Sequence, residues 1–268
     1  MNKYKLVVSD YDDTLLRNDM TVSDATKSAI NKLTEAGGYF AICTGRMFQS
    51  IRREALKIGL KGYIMSYQGA LISDIETGDT ILNTSMKCED ALKICRVFES
   101  YGEYYQAYID DTLYVPEVNE KTNYYTSICN VKAVPVGAPL SRFVESEGKP
   151  VVKLLAITDP EFAKKFIVEY NKKEPNFLFN ISKPGFIEVI SRKASKGIAV
   201  KSLCDILGID ISESIALGDS LNDLPMIEAA GLGVAVGNAI DEVKARADLV
   251  TVSNDEDAVR KIIEEYCL

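Results

Sequence analysis

Between Val7 and Leu15 the sequence reads VVSDYDDTL, and Asp10, Asp12 and Asp13 put three carboxylates into four positions. They follow an apolar, β-rich run, Lys5–Ser9, so they stand where a strand ends. In an open α/β sheet that carboxyl edge is where ligands bind. Carboxylates this crowded repel one another and coexist only if exposed or neutralised. A hard divalent cation with oxygen ligands would neutralise them. An acidic turn leaving a strand is the plain alternative.

Three further groups stand at equivalent places, just past a strand or at a helix start: Thr44-Gly45-Arg46, Lys196, and Asp219 with Asn222 and Asp223. Strand ends on one edge of a parallel sheet converge in space however far apart they lie in sequence. The chemistry this set suits is phosphoryl transfer. Asp10 can accept a phosphoryl group as an aspartyl phosphate. Asp12 can reach the same side, protonate the leaving oxygen and then take a proton from the hydrolytic water. Thr44 offers a hydroxyl and Gly45 an unhindered N–H to a phosphoryl oxygen. Lys196 supplies a point charge for phosphate and nucleophile. Asp219 would complete an octahedral Mg²⁺ site with Asp10 and the backbone carbonyl of Asp12. Asp223 would hold that site from behind or through water. Asn222 is a candidate donor to phosphate or substrate. Taken singly, a Thr-Gly turn, a surface lysine and an acidic capping loop explain the same residues. Asp13 belongs to the turn itself, because Asp tolerates left-handed backbone angles and bonds locally.

The elements that must position these groups follow from the apolar pattern. After the first strand, Ser23 reads as the N-cap of a helix over about 24–36, stopped by Gly37 and Gly38. Tyr39–Cys43 is a short strand, a helix runs on to about Ile58, and Tyr63–Ser66 and Ala70–Ser73 are strands around a Gln68-Gly69 turn. This is the β-α-β-α-β rhythm of a parallel sheet with crossover helices. Between about 84 and 189 the rhythm changes to neighbouring strands with segregated helices, an α+β pattern rich in tyrosine. From Ser195 the first rhythm returns. The expectation is an α/β fold with a doubly wound, parallel-sheet core domain from 1–83 and 190–268, interrupted by an inserted module at 84–189.

Composition narrows the function. A net charge of −8 with no basic run disfavours nucleic acid and membrane surfaces as partners. There is no histidine, which excludes Ser-His-Asp and Cys-His catalysis and leaves acid–base work to carboxylates, lysines, tyrosines or cysteines. The six cysteines show no metal-like spacing and read as free thiols of a cytoplasmic protein. No stretch is long and apolar enough for a membrane span. A monomer or weak homodimer is expected.

The motifs DYDDTLL, AICTGR, ASKGIAV around Lys196, and GDSLNDLPM followed by AAGLGVAVGNA together resemble those of the haloacid dehalogenase superfamily of phosphohydrolases, and within it the Cof-type subfamily. The resemblance covers essentially the whole chain. It implies a Rossmann-like core, a Mg²⁺-dependent aspartyl-phosphate mechanism, and a large cap inserted where the module at 84–189 lies. It implies further that the cap chooses the leaving group. Glu188 and the turn Lys183–Gly185 are then cap-side candidates for substrate contact and Arg46 a core-side one. Asp at both 10 and 12 favours a phosphatase over dehalogenase or phosphonatase chemistry. Asp13 stands where the subfamily usually shows Gly, and should add negative potential near the metal. The implied substrate is a small phosphorylated metabolite: sugar phosphates first, with flavin mononucleotide and pyridoxal phosphate also possible. A phosphomutase of the same superfamily would need a cap with two phosphate-binding modes; no cluster of arginines stands there to provide them, though Arg142 and several lysines keep that reading open. From another class, a phospho-accepting receiver module shares the acidic pocket, Thr and Lys. A dinucleotide module is opposed by the lack of G-x-G-x-x-G after the first strand.

Overall fold

The computed structural model describes residues 3–268, which divide into two compact units: residues 3–83 with Ser195–Leu268, and Thr84–Ala194. The chain leaves the second unit after Ala194, not after 189. The last strand of that unit continues to Ser191, and the Arg192 N–H then donates to the Asn176 carbonyl, holding these residues to their own sheet.

The first unit opens with β1 (Leu6–Ser9), α1 (Asp24–Glu35), β2 (Tyr39–Cys43), α2 (Phe48–Lys57), β3 (Tyr63–Ser66), β4 (Leu71–Asp74) and β5 (Thr80–Asn83). The second unit carries α3 (Cys88–Ser100), β6 (Tyr105–Ile109), β7 (Thr112–Val115), α4 (Glu120–Cys129), β8 (Ala133–Pro135), α5 (Leu140–Glu147), β9 (Lys153–Ile157), α6 (Pro160–Lys173), β10 (Phe177–Lys183) and β11 (Phe186–Ser191). The first unit then resumes with α7 (Lys196–Leu207), β12 (Ser214–Gly218), α8 (Leu224–Ala229), β13 (Leu232–Ala235), α9 (Asp241–Arg246), β14 (Leu249–Val250) and α10 (Ala258–Tyr266).

The first unit's sheet has the order β14-β13-β12-β1-β2-β3-β4-β5. It is parallel from β14 to β3, with β4 and β5 added antiparallel at one edge. Strand alternation supplies cores on both faces. Val7, Ile42, Ile64 and Leu217 join α1, α2 and α10 on one side. Leu6, Val8, Ala41 and Met65 join α7 on the other. The sheet is therefore doubly wound and Rossmann-like. The chain order reverses at β1, which lies between β12 and β2, so the crevice for a ligand opens at its carboxyl end.

The second unit is a sheet of order β10-β11-β9-β6-β7-β8, antiparallel apart from β7 with β8. One face buries Phe98, Tyr105, Phe166 and Phe179 against α3, α5 and α6. The elements the sequence pattern misses are β5, β8 and α5. Each is short. β8 ends on Pro135, which weakens a strand reading, and α5 buries little beyond Leu140 and Val144. Among the described residues no helix is long and apolar enough to cross a membrane. All six cysteines are free.

Candidate active site

Asp10 takes its place as the last rung of the central strand: its N–H donates to the Leu217 carbonyl of β12 at 2.9 Å. The chain then coils through a wide turn, Tyr11–Leu15, in which Asp13 is left-handed with φ 55°. The turn is held from outside by Asn238, whose amide donates to the Asp13 carbonyl at 2.7 Å. It is also tied through Thr14, whose hydroxyl donates to Asp219 Oδ1 at 2.9 Å.

Lys196 is the first residue of α7, whose N-cap Ser195 accepts from the Ile198 N–H. A cation at a helix N-terminus opposes the helix dipole, and Lys196 is also 1% exposed. Its partners explain why it is tolerated. Lys196 Nζ donates to Asp10 Oδ1 and to Asp223 Oδ1, each at 2.5 Å. The second Asp223 oxygen accepts from the backbone N–H groups of Asp219 and Ser220 at 3.1 and 3.0 Å. Asp223 thus folds its own loop and pairs with the lysine at once. Gly218 makes room for it: a Cβ there would stand 2.4 Å from the Asp223 Cβ.

Asp10, Asp219 and Asp223 can bring one carboxylate oxygen each within 4.8 Å of one another. One ammonium does not balance three carboxylates. Burial, opposed by Lys196 and reinforced by Asp223, pushes the Asp10 carboxyl up to about 8. Burial and then Asp223 push Asp219 up to about 6. Lys196 moves the other way from what its burial alone would do, held protonated by Asp10 and Asp223. An all-oxygen donor set with excess negative charge fits a hard divalent cation.

The loop after β2 supplies the remaining groups. Thr44 is buried, its N–H donating to the Met65 carbonyl of β3 and its carbonyl accepting from the Gln68 N–H. Gly45 lies against Gln68, whose Nε2 would be 2.6 Å from an added Cβ. Gln68 is left-handed, φ 60°, and its Oε1 accepts from Asn222 Nδ2 at 3.4 Å. Asn222 is exposed. Asp12 lies outside the acidic triad as far as its side chain goes. It is paired with Arg46, whose Nε donates to Oδ2 at 2.9 Å and whose Nη2 donates to Oδ1.

The chain as a whole is matched by known proteins. The sequence pattern of the haloacid dehalogenase-like hydrolases matches residues 7–263. The chain belongs to the haloacid dehalogenase-like hydrolases. It is 30% identical over 284 residues to the Bacillus subtilis protein named phosphatase YwpJ, covering 97% of this chain and 99% of that one. It is likewise 30% identical over 282 residues to YwtE of the same organism, named a 5-amino-6-(5-phospho-D-ribitylamino)uracil phosphatase, covering 97% of each. The crystal structure of TM0651 from Thermotoga maritima superposes with a TM-score of 0.87 at 31% identity, covering 97% of each chain. The protein is an enzyme of the phosphatase type within this family. Haloacid dehalogenase-like phosphatases generally use Mg²⁺, and the buried acidic triad is consistent with that habit.

In this haloacid dehalogenase-like enzyme, three residues escape the sequence reading: Thr14, Gln68 and Asn238. Thr14 is in the quoted first motif, and its hydroxyl next to crowded acids is a signal in itself. Asn238 follows Gly237 in a turn-like pair, and Gln68 reads only as a turn residue. Of the second unit's expected contact residues, Lys183 and Pro184 are exposed and Glu188 and Gly185 are buried. Glu188 is buried and accepts from Lys153 of its own sheet at 3.3 Å. In the Lys183–Gly185 turn the Gly185 carbonyl accepts from the Thr158 N–H at 2.8 Å. Arg142 lies on α5.

Proposed function

We propose that the protein is a Mg²⁺-dependent phosphatase of small phosphorylated metabolites, sugar phosphates foremost, working through an aspartyl phosphate on Asp10. The observation that carries this is one buried lysine, Lys196, shared at 2.5 Å by Asp10 and Asp223, with Asp219 beside them. A carboxylate at a strand end, steadied by a cation and open on one side to a ligand crevice, is what an attacking aspartate requires. Asp219, Asp10, Asp223 and the Asp12 carbonyl are the groups to hold Mg²⁺, which when bound would offset phosphate charge and orient it for in-line attack. Asp12 protonates the departing oxygen and afterwards deprotonates the water that frees Asp10. The Thr44 hydroxyl, the Gly45 N–H and Asn222 receive the phosphoryl oxygens, and Lys196 keeps Asp10 oriented while adding charge to the same place.

Substrate selection falls to the second unit, which we assign as the inserted cap. The phosphorylated ribityl chain named for YwtE supports a polyol phosphate as the substrate type. The test is inorganic phosphate release from phosphorylated sugars, nucleotides and cofactors, with Mg²⁺ and with chelator. Metal-dependent release from one subset is the expected result. No release from any member would overturn the proposal. A stable phosphoryl group on Asp10 would then turn attention to a phosphomutase.

A further inference from the structure

The pairing of Arg46 with Asp12 is not explained by the chemistry above. Asp12 lies in the turn after β1 with extended backbone angles, φ −74° and ψ 135°, past the point where Asp10 ends the ladder to β12. Its carboxylate orientation comes instead from the loop after β2. Arg46 grips both of its oxygens, one through Nε at 2.9 Å and the other through Nη2. The guanidinium lies 5.4 Å from the centre of the Tyr11 ring, the residue before Asp12. Its backbone is fixed as well: the Arg46 N–H donates to Thr44 Oγ1 at 3.2 Å, and its carbonyl accepts from the Tyr67 N–H at 3.1 Å.

A planar fork on both oxygens fixes the plane of a carboxylate, which one hydrogen bond does not. The side chains are 37% and 41% exposed, and pairs that exposed add little to stability. What this pair supplies is direction. The geometry points to Arg46 as a positioning residue: it aims the Asp12 carboxylate for proton transfer and does not bind the substrate's phosphate. The assignment rests on the phosphatase reading and on Asp12 as its acid–base group.

The test compares Arg46→Ala, Arg46→Lys, Asp12→Ala and the double variant Arg46→Ala/Asp12→Ala in the full chain, by steady-state and single-turnover phosphate release and by thermal melting. Arg46→Ala is expected to lower kcat about 10²-fold, the scale of a misaimed catalytic group, with KM and melting temperature nearly unchanged. Arg46→Lys, a point charge without the fork, should recover only part of kcat. In the Asp12→Ala background, removing Arg46 should cost nothing more. A raised KM with kcat retained, full kcat in Arg46→Lys, or losses that multiply in the double variant would each overturn the assignment. A large fall in melting temperature would also overturn it, by making the pair structural. A wild-type protein without metal-dependent release would instead sink the phosphatase reading beneath it.

Discussion

Lys196 carries two burdens at one atom. It compensates two buried carboxylates and it holds the one proposed to attack. Replacing it with methionine leaves Asp10 and Asp223 buried without their cation. Lys196→Met should therefore lose about 3–5 kcal/mol of stability, the usual cost of breaking a buried pair, read from denaturant melts in chelator. A variant as stable as wild type would mean that the pair is not formed. Asp10→Asn is the opposite case, since it keeps the shape and removes the proposed nucleophile. It should fall at least about 10³-fold in turnover while its circular dichroism stays that of wild type. Substantial Mg²⁺-dependent release from it would remove Asp10 from the attack. The left-handed Asp13 was readable in advance, because short acidic side chains favour that region. The Thr14–Asp219 bond was not, because its partners are 205 residues apart and no local pattern encodes such a meeting.

At the scale of elements, the site depends on how closely loops approach one another. Gly218 ends β12 directly against Asp223. Gly218→Ala should push Asp223 away from Lys196, cost about 1–3 kcal/mol as overpacking does, and lower kcat with it. Unchanged melting and turnover would show that the loop can give way. Ser195 sets where α7 begins and so where Lys196 stands. Ser195→Ala should cost about 1 kcal/mol through the lost cap, measurable as a shifted urea midpoint. Strands β1, β2 and β3 announced themselves as apolar runs bounded by Gly or acidic residues, and the cap of α1 by Ser23. What stayed hidden were β5, β8 and α5, where a few residues hold their conformation through pairing with a neighbouring strand or packing into the second unit's core. The Arg46–Asp12 fork was hidden for the same reason: sequence gives residue types at two strand ends, and the tertiary fold gives their pairing.

Over the whole molecule, two units with separate apolar cores are joined by two crossings of the chain. Charge imbalance in the first unit gives a global test of the metal. If Mg²⁺ binds the folded form alone, a concentration of 100 times Kd should add about 2.7 kcal/mol of stability. Asp219→Asn should erase that increment. Equal melting temperatures in Mg²⁺ and in chelator would rule out the triad as a cation site. The central strand pairs on one side with β2 and on the other with β12, and Lys196 reaches Asp10 across 186 residues. During synthesis, then, the acidic turn emerges long before its lysine, and the intervening module has been made in full by the time Lys196 appears. Closing so long a loop is slow relative to local helix formation. The nascent chain carries Asp10 long before the lysine that pairs with it, so the buried pair can form only once the start of α7 has been made.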